Sequence, residues 1–329
     1  MTYPLKMQPV FRCGAQTPWG GHLLRDYFGK AIPDDQTGES LEAGVLDNFA
    51  PSIENGPLAG KTLREAYEQW GKRLTGVDCD VFPLYVKLLD AREMLSVQVE
   101  PNRSELLGAP KTKAWVVLAA PRGSRVICGV DLDGRTLEEC AAAHRLEEVL
   151  RVVPVIPGDV LYLPSGMVHA LGGDVAVYEV QPRDDSSLRF WDWERKAQDG
   201  YDRPLAFSES LEACKPNLPA LKLPGVTDLV NGGSVTHYIE DDHFSLSRLN
   251  ISGEMPLPSG RMLVLTSIGT ASVTWDGGEI QLAPGGTAII PADFSGAVLR
   301  GLRVLCATTP DRDSLKARLD YRAEGVAGL

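Results

Sequence analysis

Apolar and polar positions along this chain fall into short runs that alternate more often than they repeat at helical spacing. Residues 81 to 130 contain the strand-like runs LYVKLL, MLSVQVE and AWVVLAA, and strands return at 151 to 181. From 235 onward the pattern resumes in HFSLSRLNI, RMLVLTSI, ASVTW, EIQLA, TAIIPA and RVLCATT. Residues 1 to 60 read as loops and short strands. Helical periodicity is predicted in two places. Over 62 to 76, Thr62 and Glu65 form a capping-box pattern, and Leu63, Ala66, Tyr67, Trp70 and Leu74 share one face. Over 136 to 150, Thr136 and Glu139 repeat that start signal. The Pro- and Leu-rich stretch 200 to 224 reads as a linker. The pattern therefore predicts a mainly β protein with a few short helices, in two sandwich or barrel domains spanning 1–224 and 225–329.

An internal echo supports a duplication. In PGDVLYLPSGMVHAL, Gly158 is followed by Pro164 and His169; in PGGTAIIPADFSG, Gly285 is followed by Pro291 at the same spacing. Both read as turn, short strand and Pro-bearing turn. Where the first copy has His169, the second has Gly296, so only the first is expected to carry a site. The Gly, Pro, His spacing resembles the second motif of cupins, which are small jelly-roll barrels. It sets one imidazole on a strand pointing inward, a good position for a metal ligand.

Composition narrows the function. The chain has 329 residues, with 33 Lys and Arg against 44 Asp and Glu, a formal charge of −11. That balance argues against a nucleic-acid partner, which needs a basic face, but a few local cations can still hold one phosphate. The cysteines Cys13, Cys79, Cys128, Cys140, Cys214 and Cys306 are scattered without a CxxC pair, as expected for reduced, mostly buried thiols. No apolar run approaches about 18 residues, and the N-terminus lacks a signal-peptide pattern. The expectations are a cytoplasmic location and no membrane partner. No apolar stripe marks a dimer surface, so a monomer is expected.

Several motifs occur in order: PWGGHLL, TGESLE, NGPLAGKTL, LYVKLLDAREMLSVQVEPN, KTKAW, PGDVLYLPSGMVHALGG and SLRFWDWER. Together they resemble the class I mannose-6-phosphate isomerases in their short bacterial form, over nearly the whole chain. The resemblance implies two cupin domains and a zinc ion held by four side chains. Two come from a Gln-x-His pair, one from the Glu of a KTE-like motif and one from the cupin His. Gln98 and His169 match. Glu100 stands in place of the family's His, and Lys113 in place of its Glu.

Glu can serve as an oxygen ligand, but a protonated lysine cannot ligate and repels a dication. Gln98, Glu100 and His169 would leave a weak three-ligand metal set. Alternatively, Lys113 sets its ammonium near the vacated position and Glu100 neutralises it. Three outcomes are open: a salt bridge in a dead pocket, a distorted metal site, or a metal-free functional site. The cofactor is accordingly zinc or none.

The resemblance further implies catalytic roles for Lys111 and Arg189, phosphate contacts for Ser96 and Arg195, and a nearby position for Lys87 and Asp192. The implied reaction interconverts mannose 6-phosphate and fructose 6-phosphate. A base moves a proton between C1 and C2, and an electrophile stabilises the oxyanion. A positioned ammonium such as Lys113 can be that electrophile in place of a metal. The alternatives are a non-catalytic sugar-phosphate-binding or regulatory homologue, and an isomerase of another sugar. His22, His144, His237 and His243 fall outside these motifs and read as structural or surface residues. Trp115, Trp191 and Trp193 read as core, with a pocket wall as their other role.

Overall fold

A computed structural model describes residues 1–46, 49–103, 109–196, 200 and 202–310. Among them are four antiparallel sheets and five short α-helices. A seven-stranded sheet runs Leu221–Lys222, Val160–Leu163, Lys113–Ala119, Val175–Pro182, Leu84–Ala91, Glu39–Ala43, Val10–Arg12. It faces a five-stranded sheet ordered Leu188–Trp191, Val97–Val99, Val168–Ala170, Arg125–Val130, Leu150–Pro154. Val97, Val99, Val117, Ile127 and Leu161 fill part of the space between them.

The second half repeats this plan. Read outward from the strand after each Gly-Pro motif, the first large sheet runs Val160–Leu163, Lys113–Ala119, Val175–Pro182, Leu84–Ala91, Glu39–Ala43. The second runs Thr287–Ile290, Leu263–Ser267, Arg303–Thr308, Ser245–Ile251, Gly233–Glu240. The five strands also follow one another along the chain in the same relative order. The echo between Gly158 and Gly285 is thus a repeat of whole topology. The chain changes sheet between Lys222 and Val226, while the N-terminal strands Leu5–Gln8 and Ser52–Ile53 extend the second barrel's large sheet.

The two large sheets share a core. Leu84, Val86, Leu88, Val116, Tyr178 and Val180 from one belong to the same apolar cluster as Tyr238, Leu246, Val264, Ile289 and Leu305 from the other. Strands of the first barrel are therefore buried on both faces. In Leu84–Ala91 every residue is buried, with Val86 and Leu88 facing the shared core while Lys87 and Leu89 line the first barrel's cavity. Such strands lose the simple apolar/polar alternation. A buried polar link crosses between barrels: Glu42 pairs with Lys30 at 2.7 Å and accepts from Thr287 Oγ1 at 3.1 Å.

Both predicted helix starts close as capping boxes. The first helix, Leu63–Trp70, stops at Gly71, whose φ of 48° breaks it before a further turn, Lys72–Thr75. The second ends at Ala142, ahead of His144 at φ 54°, and continues as a 3-10 turn, Leu146–Val149. The stretch read as a linker contains the helix Phe207–Ala213, docked on the five-stranded sheet by stacking of Phe207 on Phe190. Its Leu and Phe residues are packing residues. No helix among the described residues is long and apolar enough to cross a membrane.

Candidate active site

Strand register brings two rows of side chains opposite each other inside the first barrel. On the five-stranded sheet, Arg189, Gln98 and His169 are neighbours across three strands. On the seven-stranded sheet, Trp115, Glu179 and Lys87 are neighbours across another three. Gly172 lets the chain after His169 close against the next strand, because a Cβ there would lie 1.8 Å from the Arg125 carbonyl oxygen. A cavity of about 200 Å³ opens between the rows.

Lys113 lines this cavity, and Glu100 lies behind it with no exposed surface. The Glu100 carboxylate meets Lys113 Nζ at 2.5 Å and Lys111 Nζ at 2.8 Å. It also accepts from Ser187 Oγ at 2.9 Å, while Ser187 accepts from Lys111 at 3.2 Å. Burial opposes ionisation of Glu100, but the two ammonium groups hold its carboxyl well below the usual range. Burial likewise works against the charge on Lys113, and Glu100 followed by Glu179 overcomes it, so its pKa is raised.

Glu179 sits 3.4 Å from Lys113 and accepts from Trp115 Nε1 at 2.8 Å. Against burial, Lys113 and Lys87 keep its carboxyl below the usual value. His169 Nδ1 lies 2.9 Å from the Met167 carbonyl, which assigns the ring proton to that nitrogen. Its Nε2 is buried without a hydrogen-bond partner among the described residues, 3.4 Å from Glu100. Gln98 Nε2 donates to Ser96 Oγ at 3.2 Å.

A second ion cluster forms another wall. Lys87 lies 3.0 Å from Asp185 and 3.4 Å from Glu39, and Arg12 lies 2.7 Å from Asp185. Burial would raise the Asp185 carboxyl, yet Lys87 and Arg12 hold it well below its ordinary value. Arg189 and Arg203 also line the cavity. Arg203 pairs with Asp192 at 2.6 Å. Arg189 gives one N–H to the Pro204 carbonyl at 2.9 Å, while its Nε is buried without a partner among the described residues. Burial, then the nearby charge of Arg203, pulls the Arg189 guanidinium down.

Of the residues expected from sequence, Lys87, Ser96, Gln98, Lys113 and Arg189 line the cavity. Glu100, Lys111 and His169 are buried outside its lining; Lys111 is fully enclosed and contacts Glu100 and Ser187. Arg195 and Asp192 do not reach the cavity. After the strand Leu188–Trp191, Trp193 and Glu194 adopt φ of 55° and 57°. Arg195 there binds the Met94 carbonyl and Asp192, and it lines a separate depression beside Trp191 and Phe207. Arg203 reaches the cavity instead, and Asp192 anchors it.

Sequence reasoning missed Arg12, Glu39, Glu179, Asp185, Ser187 and Arg203. Glu179 left a signal, a lone acid within the otherwise apolar run VAVYEV. Of the others, Arg12 and Glu39 meet through strand register, and Asp185, Ser187 and Arg203 arrive on loops, without local spacing.

Comparison with known proteins gives a consistent picture. The family model of the phosphomannose isomerase type I catalytic domain matches residues 6–142. A probable mannose-6-phosphate isomerase of Bacillus subtilis, GmuF, is 33% identical over 314 residues, covering 92% of this chain and 97% of the relative. Mannose-6-phosphate isomerase ManA of the same organism is 34% identical over 281 residues, covering 81% and 85%. A crystal structure of mannose 6-phosphate isomerase from Bacillus subtilis matches with a TM-score of 0.85 at 28% identity, over 93% of this chain and 99% of that one. A mutant of phosphomannose isomerase from Salmonella typhimurium shares the fold at a TM-score of 0.73 and 17% identity, over 94% and 100%.

Proposed function

Because the chain belongs to the type I phosphomannose isomerase family, we propose that it interconverts mannose 6-phosphate and fructose 6-phosphate in the cavity of its first barrel. One observation carries this assignment. A buried ammonium and a carboxylate, Lys113 and Glu179, lie 3.4 Å apart at the same cavity as Arg189, a guanidinium whose Nε–H has no partner among the described residues.

Arg189 and Arg203 receive the phosphate. Two neighbouring guanidiniums repel each other until a dianion lies between them, and each can bind it through more than one N–H. Ser96 adds a hydroxyl to the lining. Glu39, Asp185 and Lys87 orient the sugar hydroxyls.

Lys113 donates to O1 of the open-chain aldose. Glu179 takes the proton from C2; the electrons of that C–H bond form the C1–C2 double bond, and O1 becomes the oxyanion facing Lys113. The O2 hydroxyl proton then passes to O1. Glu179 returns its proton to C1, leaving the carbonyl at C2. Lys113 depresses Glu179 in the free protein; as its charge turns to the oxyanion, the carboxylate regains basicity. As the sequence leads us to expect, we take the protein to act as a monomer in the cytoplasm.

The test is a coupled assay of fructose 6-phosphate formation from mannose 6-phosphate by the purified protein. Steady turnover is expected. Turnover only with a different hexose phosphate would overturn the substrate. No turnover with any aldose phosphate, despite stabilisation by them, would leave a binding protein.

A further inference from the structure

We infer that Lys113 is the resident cation of this site and that the chain holds no zinc there. Only the catalytic consequence of this inference rests on the isomerase assignment above. The sequence resemblance implies a zinc ion, and the positions it makes ligands are Gln98, Glu100, Lys113 and His169. These residues do not fit a divalent metal.

Glu100 is the only carboxylate of the four, and it is committed. Lys113 and Lys111 lie 2.5 and 2.8 Å from its oxygens, and Ser187 donates to it as well. A metal bound to Glu100 would sit against two ammonium groups. The charges also close without it: Glu100 and Glu179 balance Lys111 and Lys113, all buried. A dication would leave two unbalanced charges in a buried space. His169 Nε2 has no hydrogen-bond partner among the described residues, but one imidazole beside a neutral amide is not a zinc site. The described residues contain no group of three or more His, Cys, Asp or Glu arranged to hold a metal.

The exchange is therefore reciprocal. The position that loses an acid gains the ammonium, and the position that loses an imidazole gains the acid that pairs with it. Lys111 and Ser187 hold Glu100 in place and so fix the direction of the Lys113 ammonium. In the reaction, that ammonium supplies the positive charge at the sugar carbonyl.

The experiment measures zinc and turnover separately on the full chain. Zinc content of the purified protein, and zinc titration by calorimetry, should show no stoichiometric binding. Glu100→His combined with Lys113→Glu should bind zinc at one per chain, because it restores four ligands. Turnover of the unaltered protein should survive a strong chelator. Lys113→Met should lower kcat by roughly 100-fold with little change in KM, and added zinc should not restore it.

One tightly bound zinc per unaltered chain would overturn the inference, as would chelator-abolished turnover that zinc rescues. If the unaltered protein binds no zinc, the double variant does, and neither turns over any hexose phosphate, the replacement of the metal stands and the isomerase assignment fails.

Discussion

Glu100 and Lys113 meet at 2.5 Å within the first barrel, with side chains 0% and 5% exposed. Neither would keep its charge alone at that depth. Each is held ionised by the other, with Lys111 on the far oxygen of Glu100 and Glu179 on the far side of Lys113. Isolated buried ions cost several kcal/mol, and the mutual attraction offsets that cost only while both remain.

Glu100→Gln should accordingly destabilise the protein by about 3–5 kcal/mol, since it removes the carboxylate that two buried ammonium groups share and leaves Lys113 only Glu179. The pH dependence has a defined sign. The folded pKa of Glu100 lies below its ordinary 4.5, so its contribution is present above that pH and fades as acid approaches the folded value. The folded pKa of Lys113 lies above 10.5, so its contribution is present below that pH and fades as pH rises through the folded value. Chemical denaturation across pH should show a plateau between these limits, and Glu100→Gln should lower the plateau and shrink the acid limb, leaving the part that Glu179 and Asp185 supply. A variant as stable as the parent at neutral pH would mean that the cluster rearranges freely.

Asp90 behaves in the opposite way. It is buried, and burial pushes its carboxyl up to about 6 even though the backbone N–H groups of Leu23 and Leu24 donate to it. Its folded pKa exceeds the ordinary 3.8, so the folded state binds the proton more tightly. Stability from this group should rise as pH falls from above 6 toward 4, on the order of 2 kcal/mol. Asp90→Asn should flatten that slope in denaturation curves between pH 4 and 7. An unchanged slope would assign the titration to another group.

How much of this was legible beforehand depends on the range of the contacts. The helix starts at Thr62 and Thr136 are local, and both form as read. The Gly158 and Gly285 motifs lie on matched strands because a turn and the strand after it are encoded in about ten neighbouring residues. Gln98 and His169, which the resemblance made ligands of one metal, are cross-strand neighbours. The Lys87 cluster was not legible as a cluster: its partners Glu39, on a neighbouring strand, and Asp185, in the loop before Leu188–Trp191, lie 48 and 98 residues away and meet only in the folded chain. Arg195, which the resemblance implied to meet the phosphate, is turned away from this cavity by two left-handed residues, a reversal that no spacing rule reveals. The helix Phe207–Ala213 was hidden by flanking prolines.

The guanidinium pair should decide phosphate selectivity. Arg203→Ala removes one anion donor while leaving Arg189, whose pKa should rise only in part, because burial, the larger cause of its depression, remains. KM for a hexose 6-phosphate should rise about 10- to 100-fold, the equivalent of one or two charge-assisted hydrogen bonds. The weak reaction of the corresponding unphosphorylated sugar should change little. Steady-state kinetics on both substrates checks this; an equal loss on both would show that Arg203 only braces Asp192.

Glu179 offers the sharpest separation of roles. Glu179→Gln keeps the side chain's volume and leaves a carbonyl oxygen able to accept from Trp115 Nε1, a contact now 2.8 Å long. It removes the group that carries the proton. Turnover should fall by roughly 100- to 10,000-fold, as for loss of a general base, while KM stays within a few-fold because Arg189 and Arg203 still hold the phosphate. A distinct readout follows from proton exchange at C2. In deuterated water the parent should wash deuterium into recovered substrate and product through the protonated carboxyl, and the variant should not. If Glu179→Gln still exchanges the C2 hydrogen at the parent's rate, the proton carrier is another residue, and Glu179 serves only to hold Lys113 and Lys87 in their charged forms.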